Sequence, residues 1–405
     1  MTEPFPSLPQ KPFAAEALTD RATFLNPYPV YAALRDVTPA RFESVSGDGS
    51  GRPSSVWSWA VMRYRDACQV LRDHQTFSSK DMLAGQLGPR LALIDDDPPR
   101  HTRVRRLVSD FFTSAGLARL EPCIAMTSAE LLDAMGSGDV ELVSAYAAPL
   151  PVQIIANLLG IPASEHATFR RWTDAFLNTE PVRARERMRD VREMARYFET
   201  LIDLKRSQSA ADLIGTLATA DIDGQPLERA EVLGFCMLLL IAGNETTTSL
   251  VSNACNLLAT RPELWQRMRS DRTLIEPVLE ETLRFHSPIQ RSAFRTATRD
   301  CEIAGMPIAA GERVTVFYAA ANRDPEAFQA PDEFRPGRAE REHLAFGLGP
   351  HFCLGAQLGR LEARITMNTF LDRFSGLELG AQPGKRPQHS PVTFGFERLP
   401  LRFFP

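Results

Sequence analysis

Near its C-terminal end the chain reads HLAFGLGPHFCLGAQLGRLE, residues 343 to 362, with one cysteine, Cys353, between a turn rich in glycine and a helix-forming run. Gly347, Gly349 and Pro350 can fold the backbone so that its amides point inward, and a helix starting after Cys353 turns its positive end toward the sulfur. Both effects favour thiolate over thiol. A thiolate held this way, with no second protein ligand nearby, suits a cofactor that brings its other ligands with it, and haem iron is such a cofactor. The remaining cysteines, Cys68, Cys123, Cys236, Cys255 and Cys301, are scattered without a CxxC pair. They read as small apolar residues and speak against a disulfide framework or a structural zinc site.

A second group lies in AGNETT, Ala242 to Thr247. The small Ala242-Gly243 step leaves room beside a helix, and a Thr246 hydroxyl bonded to the preceding turn opens a kink or groove that fits a diatomic molecule. Glu245 beside that hydroxyl is costly to bury without a purpose and suits proton delivery during oxygen activation. Asn244 can reach either a substrate or a relay water, and spacing does not choose between them. His101 and Arg105 stand four apart after Pro98 and Pro99, on one face of a helix, and can grip one anion; a solvated basic helix is the bland alternative. Glu281 and Arg284, three apart, read alone as a surface ion pair of ~0.5 kcal/mol or less.

These residues need a scaffold. Apolar residues at three- and four-residue spacing dominate from about 115 to 290, as in LARLEPCIAMTSAELLDAM and VREMARYFETLIDLKR, and predict a mostly helical middle. Shorter β-branched and aromatic runs, VWSWAVMRY at 56 to 64, ERVTVFYAA at 312 to 320 and the closing VTFGFERLPLRFF, predict small flanking sheets. Between Pro226 and Pro262 there is room for one helix of ~35 residues, ~50 Å long. Its unbroken apolar run, Val232 to Gly243, falls short of the roughly 20 residues of a bilayer span, so a buried helix with a polar interruption is predicted. The prolines of 322 to 350 exclude a long regular element there, and no repeat or linker divides the chain. One integrated domain over 1–405 is predicted, mainly α with small β-sheets, an α+β class.

At 44% apolar and 24% charged, the 405 residues are an ordinary globular mix able to enclose a sizeable cofactor. A net charge of -4 gives no general attraction for nucleic acid or an anionic membrane. The stretch MTEPFPSLPQKPFAAEALTD has neither a signal nor an anchor pattern, so a cytoplasmic location is expected.

The pattern Phe346-x-x-Gly349-x-His351-x-Cys353-x-Gly355 resembles the haem-binding signature of cytochrome P450 enzymes, and further motifs extend the likeness from NPYPVYAALRD at 26 to 36 to the C-terminal strands. The resemblance implies that family's fold, a long central helix over haem b with a Cys-ligand loop. It implies Cys353 as the iron ligand, with Phe346, Gly349, His351 and Gly355 around the cofactor. Glu281, Arg284 and Arg338, the last in Phe334-x-Pro336-x-Arg338, are similar to the family's structural Glu-Arg-Arg triad. His101, Arg105, Arg295 and His351 are implied as partners of the haem propionates, and Ala242 and Gly243 as the cofactor-facing step of the central helix. Glu245 and Thr246 look like the oxygen-activating pair, the acid and the water-orienting hydroxyl.

The activity so implied is a soluble, bacterial-type monooxygenase that inserts one atom of O2 into a small to medium hydrophobic or aromatic substrate, by hydroxylation or oxidative dealkylation. Electrons are expected from a separate ferredoxin or flavodoxin with its reductase, and from NAD(P)H only indirectly, since no nucleotide fingerprint is present. A monomer without nucleic-acid or membrane partners is expected. Arg103, Arg106, Arg360 and Arg364 read either as a docking patch for an acidic donor or as solvated charge. Pocket-lining positions are implied in the loop 81 to 94, at Phe169, Trp172, Phe176, Leu238 and Ala242, at Ile289, Arg291, Ser292 and Phe294, and at Val392, Thr393 and Phe394. They are mostly apolar. Arg90 and Arg291 are the exceptions, each facing a substrate carboxylate or solvent, and a stretch between Arg284 and Arg295 one residue longer than the family's leaves open which arginine meets a propionate. Two rival readings are a peroxide-driven peroxygenase of the same fold, in which Glu245 and Thr246 would be replaced, and a thiolate-haem gas sensor, which would need an output module.

Overall fold

The computed structural model describes residues 18, 21–47, 53–80, 93–177, 184–208, 212–222, 224–292, 294–340, 342–387 and 392–405. Most of the loop 81 to 94, Arg90 with it, lies outside these residues, as do most of the first twenty positions and the side chain of Phe176.

In chain order the main elements are α1 (Tyr28–Arg35), β1 (Ala40–Gly47), β2 (Pro53–Val61), α2 (Tyr64–Arg72), β3 (Phe77–Ser78), α3 (Arg100–Ser109), α4 (Ser114–Met135), β4 (Gly138–Glu141) and α5 (Pro149–Leu158). There follow α6 (His166–Leu177), α7 (Ala184–Gln208), α8 (Leu213–Ala218), α9 (Arg229–Ala259), α10 (Pro262–Ser270) and α11 (Ile275–Phe285). The last part holds β5 (Arg295–Ala297), β6 (Cys301–Ile303), β7 (Met306–Ile308), β8 (Arg313–Val316), α12 (Ala356–Arg373), β9 (Gly376–Leu379) and β10 (Pro400–Phe404). The predicted class holds, with one refinement: the helical middle is broken by strand β4, which closes a three-stranded sheet in the order β9-β10-β4. The larger sheet runs β1-β2-β8-β5-β3, with β8 parallel to β2 and the other pairs antiparallel. It joins chain segments more than 200 residues apart, and so carries Arg295 on β5 toward the start of α3.

Helix α9 is the axis of the core. A capping box fixes its start, Glu228 accepting from the backbone of Glu231 while the Glu231 carboxylate accepts from the backbone N–H of Glu228. Glu231 also pairs with Arg100 on α3. The helix is continuous from Arg229 to Ala259, 31 residues, with the expected polar stretch inside it. Its polar side chains are absorbed locally: Thr246 Oγ1 donates to Ala242 O (2.6 Å), and Thr248 Oγ1 to Asn244 O (2.9 Å) and to Ala147 O in the π-helical turn Val143–Ala147 (3.1 Å). By length and composition α9 could cross a membrane, yet 76% of its most apolar window is buried inside the molecule. At Gly243 an added Cβ would meet Ile155 of α5 at 2.7 Å, so the missing side chain sets how closely these two helices approach.

A buried ionic knot joins α11 to the irregular segment before the Cys353 loop. The Glu281 carboxylate accepts two bonds from Arg284 (2.8 and 2.8 Å), two from Arg338 (2.9 and 3.0 Å) and one from the Arg335 backbone (2.8 Å). Arg284 then donates to the carbonyls of Asn322, Pro331 and Glu333. Asn322 passes the connection on, its Oδ1 accepting from the Leu344 backbone (2.6 Å) at the start of the loop. Removing one partner from such a buried group costs about 3–5 kcal/mol, far more than the surface pair that the spacing alone suggests.

Helix α12 returns from the loop and meets α9 at Glu362, a fully buried acid facing the Thr247 hydroxyl. Burial pushes its carboxyl up to about 8, against the opposing pull of Thr247. Glu362 Oε2 has no hydrogen-bond partner among the described residues. From near pH 4.5 to pH 8 the unfolded chain therefore sheds this proton while the folded chain keeps it, and stability falls as pH rises through that window. Replacing Glu362 with Gln, which stays neutral, is expected to flatten this decline by up to about 1.4 kcal/mol per pH unit, measured as denaturant midpoints from pH 5 to 8. Parallel curves for the two proteins would show an ionised Glu362.

Candidate functional site

The loop that carries Cys353 is shaped by its glycines. Gly347 and Gly349 have φ of 70° and 73°, in the left-handed region, and an added Cβ on Gly349 would press into the backbone of Leu71 at the end of α2. The backbone then turns so that Cys353 N donates to Phe346 O (2.9 Å) and Phe352 N to Gly349 O (3.0 Å). Phe346 is clamped under the Arg360 guanidinium, 4.4 Å from its ring. Arg360 is itself held by two bonds to Glu280 (2.7 and 2.9 Å), which also takes His343 Nε2 at 3.1 Å. Burial acts to raise the Glu280 carboxyl, but the bonds from His343 and Arg360 outweigh it and hold it at about 2. The α11 and α12 helices thus brace the loop from behind.

Cys353 keeps a solvent-accessible surface although protein surrounds it on almost every side, so its sulfur faces an internal space. Burial raises its pKa; the Gly355 N–H, Arg105 and Arg360 act in the opposite direction without overcoming it. The Gly355 N–H favours the thiolate, as the turn in the sequence suggests, while burial is the larger effect and leaves the thiol's pKa raised.

Across the same space four cationic or imidazole side chains converge. The His101 and His351 rings lie 4.4 Å apart, and His101 Nδ1 and His351 Nε2 are buried without a partner among the described residues. Burial lowers both imidazoles, that of His351 to about 3, and the nearby charges of Arg295 and Arg105 add to the effect on His351. Arg295 comes from β5, opposite Val314 of β8, and Arg105 from α3. Two unpartnered imidazole nitrogens beside two arginines form a receptor for carboxylates, and the two propionates of a haem fit it. Arg295 is the arginine of the 284 to 295 stretch that joins this cluster. The Arg291 guanidinium packs 5.8 and 5.9 Å from the rings of Phe42 and Phe317, on another side of the sheet, with Tyr31 close by.

On α9, Ala242 is exposed and Gly243, Glu245 and Thr246 partly so, in contrast to the buried run Val232 to Leu240 before them. Burial raises the Glu245 carboxyl, and the hydroxyl of Thr393 acts to lower it. Asn244 is 2% exposed with neither amide atom partnered among the described residues, so it does not share the openness of its neighbours.

Several implied pocket positions are engaged elsewhere. Ser292 Oγ accepts from the Val316 backbone (3.1 Å). Phe294 lies under the Arg313 guanidinium at 4.0 Å, on the strand face opposite Arg295. Phe394 is 4% exposed and packs on Tyr28, His286 and Arg386. Phe169 and Trp172 pack against Phe198 and Tyr197 of α7, and Leu238 belongs to the apolar core. Ile289 and Thr393 are brought together by a β-bridge, and Val392 is 37% exposed. Arg360 and Arg364 are paired with Glu280 and Glu121, so the basic docking patch loses two of its four expected members. Sequence reasoning missed the bracing pair Glu280 and His343, and also the contact of Thr393 with Glu245; neither has a signature in spacing.

The family model described as Cytochrome P450 matches residues 180–403. Cytochrome P450 monooxygenase PikC of Streptomyces venezuelae is 37% identical over 390 residues, 93% of this chain and 91% of that one. The Vitamin D(3) 25-hydroxylase of Pseudonocardia autotrophica is 34% identical, covering 94% of each chain. Among solved structures, CYP109E1 from Bacillus megaterium in complex with corticosterone superposes with a TM-score of 0.81 at 33% identity, covering 94% of this chain and 99% of that one.

Gly349→Ala is expected to cost about 1–3 kcal/mol from backbone strain alone, with the Leu71 contact added, and to lower haem retention. Gly355 has φ -87° and open space where a Cβ would go, so Gly355→Ala should leave the denaturation midpoint of the cofactor-free protein unchanged. Equal midpoints for the two variants would contradict this account of the loop.

Proposed function

The chain belongs to the cytochrome P450 family, a haem-thiolate monooxygenase, and from that premise we propose how its residues divide the work. Haem b, when bound, supplies an iron centre at which O2 is activated by electrons from a separate redox partner. Cys353 would hold the iron, and its Phe346, Gly349 and Gly355 neighbours shape the loop that presents the sulfur. His101, Arg105, Arg295 and His351 would bind the propionates. The observation that carries this reading is the convergence of two unpartnered buried imidazole nitrogens and two arginines on the space that Cys353 faces.

Ala242, the exposed residue of its step, would leave room beside α9 for the cofactor and O2, whereas Gly243, expected to share that role, turns its missing side chain toward Ile155 of α5. Glu245 holds a proton, favoured by its burial, and Thr246 keeps its hydroxyl on the Ala242 carbonyl, where it orients water for transfer. Glu281, Arg284 and Arg338 act structurally, by fixing the segment that supports the loop. We assign the whole of 1–405 to one haem domain, monomeric and cytoplasmic, served by a ferredoxin or flavodoxin with its reductase.

The substrate is proposed to be a small to medium hydrophobic molecule. Ala242, Ile289, Val392 and Thr393 are the described positions best placed to meet it, and the corticosterone and vitamin D(3) in the names of similar proteins are largely apolar molecules of that kind. Arg291, stacked on Phe42 and Phe317, is not assigned to a substrate carboxylate.

Reduction with dithionite under carbon monoxide is expected to give the strongly red-shifted Soret band of thiolate ligation, and Cys353→His to abolish it while haem remains bound. A red-shifted band persisting in Cys353→His would exclude Cys353 as the ligand. Testosterone and corticosterone serve as probes of the ferric spin state. Glu245→Gln should lower product formation about 100-fold, the usual scale for a general acid, while leaving the spin shift intact.

A further inference from the structure

The C-terminal loop from Val392 to Phe396 is fastened to the molecule on two sides. On one side it pairs with the chain after α11: Gln290 N donates to Val392 O (2.7 Å), Phe394 N to Pro288 O (2.8 Å), and Thr393 bridges Ile289 between them. On the other it lies directly on α9. Gly395 sits so close to Ser249 that an added Cβ would overlap its side chain, and Asn253 Nδ2 donates to Phe394 O (2.8 Å). Arg386 closes the clamp by donating to both Asn253 Oδ1 (3.2 Å) and Gly395 O (3.0 Å).

This anchoring brings the Thr393 stretch alongside the turn of α9 that carries Glu245. Gly395 crosses α9 at Ser249; one helical turn back along α9 is Glu245, and two residues back along the loop is Thr393. The Thr393 hydroxyl is buried without a hydrogen-bond partner among the described residues, and it lies near enough to the Glu245 carboxyl to act against the effect of burial on it. A buried hydroxyl that makes no other bond costs free energy unless the neighbouring acid uses it.

We propose that Thr393 is a positioning residue for Glu245: its hydroxyl, fixed by the clamped loop, orients the acid's carboxyl toward the Thr246 side of α9. The proposal rests on the reading of Glu245 as proton donor. Because exposed Val392 adjoins Thr393 in the loop and partly buried Ile289 is bridged to it from the chain after α11, a molecule pressing on them also bears on the acid's orientation. Burial and the Thr393 hydroxyl are the two influences on the Glu245 carboxyl, and they act in opposite directions.

Thr393→Val keeps the shape and removes only the hydroxyl; Thr393→Ser restores it. The first readout is the infrared C=O band of the protonated Glu245 carboxyl in the haem-loaded protein, identified by its disappearance in Glu245→Gln. In Thr393→Val the band should move to higher frequency and titrate at higher pH, and in Thr393→Ser both should return. The second readout is hydrogen peroxide released per NADPH oxidised with a surrogate ferredoxin and reductase and testosterone as probe, expected to rise about tenfold in Thr393→Val. An unmoved band in Thr393→Val overturns the proposal whatever the turnover. If the band moves but Glu245→Gln leaves peroxide release at the wild-type level, the contact stands and the proton-donor reading of Glu245 falls.

Discussion

Everything around the sulfur depends on one carboxylate that never meets it. Glu281 is buried, holds two arginines and a backbone amide at once, and through Arg284 reaches three carbonyls of the segment between β8 and the Cys353 loop. That segment is rich in proline and has little regular structure with which to satisfy its own backbone. The guanidinium of Arg284 substitutes for a sheet or helix by collecting those carbonyls. Without it the loop glycines would still permit the turn, but nothing would hold that turn against the rest of the molecule.

The electrostatics of the chamber follow from the same economy of partners. Imidazoles stay neutral beside arginines, and a thiol stays protonated although a helix end and two guanidiniums face it. Burial dominates each of these groups, so the protein holds an excess of unmatched donors in a dry space and a sulfur whose charge depends on a positive partner. A dianionic, metal-bearing ring answers both demands in one binding event. The acid on α9 is treated differently: burial also raises it, but a single hydroxyl from a distant loop is placed to moderate that.

What was legible in the sequence was local. The Gly347, Gly349 and Cys353 turn, the three-residue step from Glu281 to Arg284, and the capped apolar run of α9 are each written within a few positions, where backbone geometry is nearly determined by residue type. What was hidden is long-range. Whether Ser292, Phe294 or Phe394 faces a pocket is decided by the register of β5 against β8 and by the arrival of Tyr28, His286 and Arg386 around the Phe394 ring. Arg291 illustrates the same limit, since only the arrival of Phe42 and Phe317 gives its guanidinium a place to lie. Glu362 and Thr393 look ordinary in sequence because their significance comes from α9 passing beside them.

The dryness of α9 has a consequence for how the chain is made. The helix is apolar enough to pass for a membrane span, and what shields it comes from both directions along the chain: α5 before it, α12 and the loop around Gly395 after it. A ribosome that has just released residue 259 has therefore exposed a long greasy rod with half of its cover still untranslated. The earlier helices, α5 among them, can cover one side of the rod at once, and the other side stays open until α12 and the Gly395 loop emerge.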